Sequence, residues 1–266
     1  MSRITIRRVA LSFSAATPRH WLDNSPFKTH LMNGFTLFLP SLEQWAIRVL
    51  KRALRTVDSP EMRQSAMGFV GQEGQHARAH AAFWPILDQQ GYDTAGYRRA
   101  AAQLFKTLET RFSVAFNVAI LAGFEHLTEC IAEHCLRQDT FAQAEPELKA
   151  LFEWHAAEEI EHKSVAYDLM VALGQGYWTR LASLVVGHVI GIGFLVWGLL
   201  LLLGQDKQLW KRSTGDDMVD FFFVKAGLFW PLCRNFAAYF VPSFHPSQRH
   251  NDELTEVVFN PAVSAG

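Results

Sequence analysis

An all-α fold built on a four-helix bundle is predicted by three observations. Gly and Pro are sparse through the first 175 residues, long segments there carry apolar residues at spacings of three and four, and helix-start signals recur between them. The first core helix is expected over Ser41 to Val57, with Pro40 just before it and the Ser41 hydroxyl free to cap its amides. A second begins at "SPEM", where Ser59 suits the N-cap and Pro60 the first helical position, and runs to about Gln90 past Pro85. The stretch from "DTAGYRRAAAQ" onward is too long for one ordinary helix, so a shorter helix leading into a long one from about Glu109 to Leu136 is expected. The fourth runs from about Pro146 to Leu173 and stops before Gly174 and Gly176.

Beyond residue 176 the composition changes, which divides the chain into a bundle over 1–176 and an apolar helical hairpin with its tail over 177–266. Residues 183–203 hold no Asp, Glu, Lys or Arg and meet the length criterion for a membrane span. The next apolar segment holds Asp220, Lys225, Pro231 and Arg234 and is a poorer span. Helices over about 178–203 and 216–240, packed as a hairpin beside the bundle, are expected, and contact with a membrane is left open.

The bulk composition bounds the function. The chain has 266 residues, 49% of them hydrophobic, enough for a large core around a buried site. Lys and Arg number 25 against 26 Asp and Glu, so nothing electrostatic points to nucleic acid. The three cysteines form no metal-binding pattern, and the N-terminal apolar run is too broken for a secretory signal. A cytoplasmic protein is expected, with association to the inner face of the membrane and a homodimer left open.

The chemistry concentrates in "EWHAAEEIEHKSVAYDLM", residues 153–170. On a helical wheel His155 and His162 lie about 40° and 60° to the same side of Glu159. Phe152, Ala156, Ala166 and Met170 share that face, so one carboxylate and two imidazoles point into a core. Buried unpaired charge is very costly, and a metal ion supplies the compensating charge. A second E-x-x-H, Glu73 and His76, shares a face with Ala66, Val70, Ala77 and Trp84. Glu43 stands 30 positions before Glu73, and Glu125 stands 34 before Glu159. Glu129 shares the face of Glu125 and is an alternative ligand. His80, two turns above Glu73, is a candidate partner orienting a ligand carboxylate, and Glu158 sits at the edge of the inward arc. Glu161 and His126 read as surface or packing residues, and His134 and His245 have no evident partner in the sequence.

The set of two lone glutamates and two E-x-x-H pairs resembles the ferritin-like di-iron carboxylate proteins. The order His155, Glu159, His162 is similar to the fourth helix of the aminobenzoate N-oxygenase type, where the added imidazole binds one iron. More broadly, "QEGQHARAH", "FEHLTE", "WHAAEEIEHKSVAYDL" and "YFVPSFHP" resemble the bacterial family labelled predicted metal-dependent hydrolases. The first resemblance implies two iron ions, for which manganese or a mixed pair could substitute, held by Glu43, Glu73, His76, Glu125, His155, Glu159 and His162. It implies an oxidoreductase that uses dioxygen and an external electron donor to oxygenate, N-oxygenate or desaturate a small or lipid-like substrate. The family label implies hydrolysis at a dinuclear site instead, and ferroxidase or iron-storage work is a third reading.

Overall fold

The computed structural model describes residues 4–224 and 227–260, and no β-strand occurs among them. Lys225 therefore lies outside the described residues. Helix α1 (Pro26–Ala53) opens on Pro26, with the Ser25 hydroxyl accepting the Lys28 amide. Helix α2 (Pro60–Gln89) starts as the sequence indicates, on Ser59 and Pro60. Helix α3 (Ala95–Arg111) leads into α4 (Val114–Arg137), which Ser113 caps. Helix α5 (Pro146–His162) is followed by α6 (Val165–Ala172), α7 (Tyr177–Gln205), α8 (Arg212–Phe223), α9 (Phe229–Ala238) and α10 (Glu253–Phe259).

Two expectations for the bundle need correction. The first helix starts 15 residues before Ser41, and Pro40 lies inside it. A proline there cannot donate to the carbonyl four residues earlier. That carbonyl belongs to Thr36, and it accepts the indole N–H of Trp84 at 2.9 Å instead, which ties α1 to α2 and keeps the polar group satisfied. The fourth helix is interrupted between His162 and Val165. Lys163 at the break is buried, and its ammonium donates to the Arg249 carbonyl, Asn251 and Asp252.

The C-terminal segment also departs from a simple hairpin. Helix α7 packs chiefly on α1 and α4. A Cβ on Gly187 would lie 3.3 Å from backbone atoms of Ile120, Gly123 and Phe124, and one on Gly198 would lie 3.2 Å from the Gly34 Cα. Small residues thus let the three backbones approach. The second apolar segment is split into α8, which packs on α1, and α9, which packs on α4. Both α4 and α7 are long and apolar enough to cross a membrane, but α4 is a largely buried core helix. Along α7, Val185, Val189, Ile192, Val196 and Leu200 are exposed, Val189 by 66%.

The N-terminal residues form a strap over α2. Ile6 packs so closely on Gly71 that a Cβ there would sit 2.2 Å from the Ile6 Cδ1. The Thr5 carbonyl accepts from the Gln72 amide at 3.0 Å, and Arg7 is carried to the end of α5.

Candidate metal centre

Helices α1, α2, α4 and α5 bring Glu43, Glu73, His76, Glu125, His155, Glu159 and His162 into one buried cluster, each at most 6% exposed. The i, i+3 spacing within α2 and within α5 turns each Glu and its His the same way. One donor atom from each of Glu73, His76, Glu159 and His162 lies within 4.8 Å of the others, and the same holds for Glu43, His80 and His155. His76 Nδ1 is 3.4 Å from Glu73 Oε1, and His162 Nε2 is 3.5 Å from that oxygen and 3.7 Å from Glu159 Oε1. His155 Nε2 lies 2.8 Å from Glu159 Oε1 and 3.9 Å from Glu43 Oε1. Glu125 Oε2 is 2.9 Å from His162 Nδ1.

These residues fit a metal pair on two grounds. Among the described residues, both Glu43 oxygens, Glu73 Oε1, His76 Nδ1 and His162 Nε2 are buried with no hydrogen-bond partner, and all belong to this cluster. Buried polar atoms are rarely left so, and a bound ion is one standing explanation. Separations of 3.4–3.7 Å are also long for hydrogen bonds. They are close to the roughly 3.0–3.5 Å expected between ligands about 2.1 Å from a shared ion.

The electrostatics follow from packing four carboxylates together. Burial, with Glu73 beside it, pushes the Glu43 carboxyl well above the usual carboxylate range. Burial and Glu159 push Glu125 up to about 8. For Glu159 burial also opposes the charge, but His162 and His155 win and hold its carboxyl low. Burial disfavours the charged forms of His76 and His162 as well, yet Glu158 and Glu73 around the first, and Glu159 and Glu125 around the second, push both up to about 10. A bound metal would compete with protons for these ligand atoms.

The surrounding residues sort the alternatives. His76 Nε2 donates to Glu158 Oε2 at 2.9 Å, and the other Glu158 oxygen accepts from Arg7 at 3.2 Å. Burial opposes the Glu158 charge, but His76 and Arg7 keep its carboxyl below the usual range. Glu158 therefore fixes the ring of His76, a second layer of support that metal-binding histidines commonly have. Glu161 is not a solvated residue: Arg7 binds both its oxygens, at 2.8 and 2.7 Å, and Gln72 donates to it at 2.8 Å. Glu129 points away from the cluster to Arg249 and Asn251, so Glu125 is the carboxylate of α4 that faces it. His80 does not orient Glu73 but bonds to His155 Nδ1 at 2.7 Å. His126 is buried against Asn235, and His245 pairs with Asp168 at 2.7 Å. Arg7 was invisible to sequence reasoning, since its partner lies 151 positions away and only the paired glycines of "GFVG" hint at a strap.

A pocket with an almost wholly apolar lining leads to the cluster between α1 and α4. Its walls include Phe35, Leu39, Ile131 and Phe152, and His155 and Glu159 stand at its polar end. Thr128 is the one other polar side chain of that lining besides Cys135, whose thiol burial pushes up to about 12.

A third group of metal-capable residues, His20, His30 and Asp206, reads differently. The Trp21 indole donates to Asn33 Oδ1 at 3.0 Å, which turns the Asn33 amide nitrogen toward His30 Nδ1. The His30 proton then sits on Nε2 and is donated to Asp206 at 3.1 Å, while Arg19 takes the other Asp206 oxygen. With both His30 nitrogens engaged, this is an ion-pair clamp on the end of α7.

No curated protein and no solved structure matches the chain. A family model described as predicted metal-dependent hydrolase matches residues 5–250, a span that includes every residue of the cluster. Over nearly its whole length, the chain thus belongs to that metal-dependent family.

Proposed function

We propose that this chain is a dinuclear metalloenzyme of ferritin-like type that oxidises an apolar substrate with dioxygen. The observation that carries this reading is the buried cluster of two E-x-x-H pairs and two lone glutamates at the end of an apolar pocket, in which Glu43, Glu73, His76 and His162 keep donor atoms with no hydrogen-bond partner. Glu43, Glu73, His76, Glu125, His155, Glu159 and His162 would hold the two metals, and a ferrous pair there would supply electrons for reducing dioxygen. Glu158 holds the His76 ring, with Arg7 balancing its charge from outside. The side chains of Phe35, Leu39, Ile131 and Phe152 exclude water and favour a lipid-like or aromatic substrate. The exposed apolar face of α7 supports delivery from the inner face of a membrane, and an external electron donor is required.

A second reading, hydrolysis, is favoured by the family's description. A metal pair would there lower the pKa of a bound water. Against it stands the pocket lining, which holds no Lys or Arg to bind an anionic phosphoester or carboxylate substrate. Anaerobic assay separates the two. Reduced, iron-loaded protein that consumes dioxygen and modifies lipid extracts only in air supports oxidation; turnover of ester or phosphoester panels without dioxygen overturns it in favour of hydrolysis.

A further inference from the structure

Behind the pocket-side histidine of the cluster lies a chain of hydrogen-bonding side chains. Thr36 Oγ1 is 3.2 Å from His80 Nδ1, His80 Nε2 is 2.7 Å from His155 Nδ1, and His155 Nε2 faces Glu159 at 2.8 Å and Glu43 at 3.9 Å. Thr36 and His80 are fully buried, so no water competes for these contacts.

We propose that Thr36 and His80 are positioning residues that aim the His155 ring at the cluster and take up the hydrogen bond of its Nδ1 proton when Nε2 turns to a metal. A neutral imidazole has one donor and one acceptor nitrogen. If His155 is to offer the Nε2 lone pair, its proton must sit on Nδ1 and needs an acceptor. His80 Nε2 provides it. The His80 proton is then on Nδ1, where the Thr36 hydroxyl accepts it. Both His80 nitrogens are used, so His80 is not itself a ligand despite its distance of at most 4.8 Å from donors of Glu43 and His155. The Thr36 backbone is fixed in turn, because the carbonyl freed by Pro40 holds the Trp84 indole. Three helix-borne groups therefore aim one ring.

This inference rests on the dinuclear reading, and cobalt(II) titration of the full-length metal-free protein tests both separately. Wild type is expected to take up two cobalt ions with visible ligand-field bands. His80→Phe is expected to weaken one ion about 10–100-fold, the usual cost of losing such a partner, and to shift the bands to those of His155→Ala while sparing the other ion. The double variant should be no worse than His155→Ala alone. Thr36→Ser should match wild type, and Thr36→Val should weaken the same ion by several-fold. Wild-type bands and affinities in a folded His80→Phe, or a loss that adds in full to that of His155→Ala, overturn the proposal. If His80→Phe does not fold, the isosteric Thr36→Val decides, and unchanged cobalt binding in it is the overturning result. Wild type that binds no cobalt sinks the dinuclear reading itself, whereas two ions indifferent to residues 36 and 80 sink this inference only.

Discussion

Replacing Arg7 with alanine should destabilise the protein from a position seven residues into the chain. The Glu158 side chain is fully buried and keeps only His76 once the guanidinium is gone. Losing a charge-assisted bond to such a carboxylate costs about 1.5–3 kcal/mol. Glu161 is 20% exposed, keeps Gln72 and adds less than about 1 kcal/mol. A total of about 1.5–4 kcal/mol follows. With an unfolding entropy of about 2.1 cal/mol/K per residue, 266 residues give roughly 0.56 kcal/mol/K, hence a fall in Tm of about 3–7 °C. Circular dichroism melts of metal-loaded protein measure it. Arg7→Lys should recover part of the loss, since an ammonium reaches one carboxylate but not the paired oxygens of the other. The reasoning is refuted by a fall under about 1 °C, or by the same fall when Arg7→Ala is made in a Glu158→Gln, Glu161→Gln background.

Two further outcomes are expected. Burial pushes the pKa of His126 down to about 3, with His188, Arg249 and Arg180 adding to it, and those of His30 and His188 down to about 4. The unfolded chain therefore takes up these protons first as pH falls below about 6.5, so stability present at neutral pH is lost in acid, by about 1.4 kcal/mol per pH unit per histidine. Denaturant melts from pH 6.5 to 4.5 should show this slope, reduced by one histidine's share in His126→Gln; an unchanged slope in that variant contradicts it. Vesicle flotation should capture the wild-type protein on bilayers and lose it when Val189 and Ile192 on the exposed face of α7 are both replaced by glutamate. Equal flotation of the two proteins, or none of the wild type, would show that lipid is not what covers this face.

The inward glutamates and histidines were legible because helical periodicity converts spacing directly into a shared face. Glu43, Glu73, His76, Glu159 and His162 need only that rule and the apolar neighbours on each wheel. What escaped depends on contacts between distant segments. Glu125 and Glu129 share a helix face, and only the C-terminal Arg249 and Asn251 show that Glu129 is engaged elsewhere. His80 stands above Glu73 on the wheel, but the neighbouring helix supplies His155 as its partner. Pro40 read as a helix boundary because a proline removes a backbone hydrogen bond, and the sequence gives no sign that Trp84 would fill the vacancy. Residues 216–240 read as one apolar helix, yet α8 packs on α1 and α9 on α4.

The central claim is that the buried cluster holds two metal ions. Elemental analysis of protein purified from iron-supplied cells, alongside Glu73→Ala and His162→Ala, tests it most directly. The ligand set predicts about two transition-metal ions per wild-type chain and the loss of at least one in each variant. A wild-type content well below one per chain, or full loading retained in both variants, would contradict it.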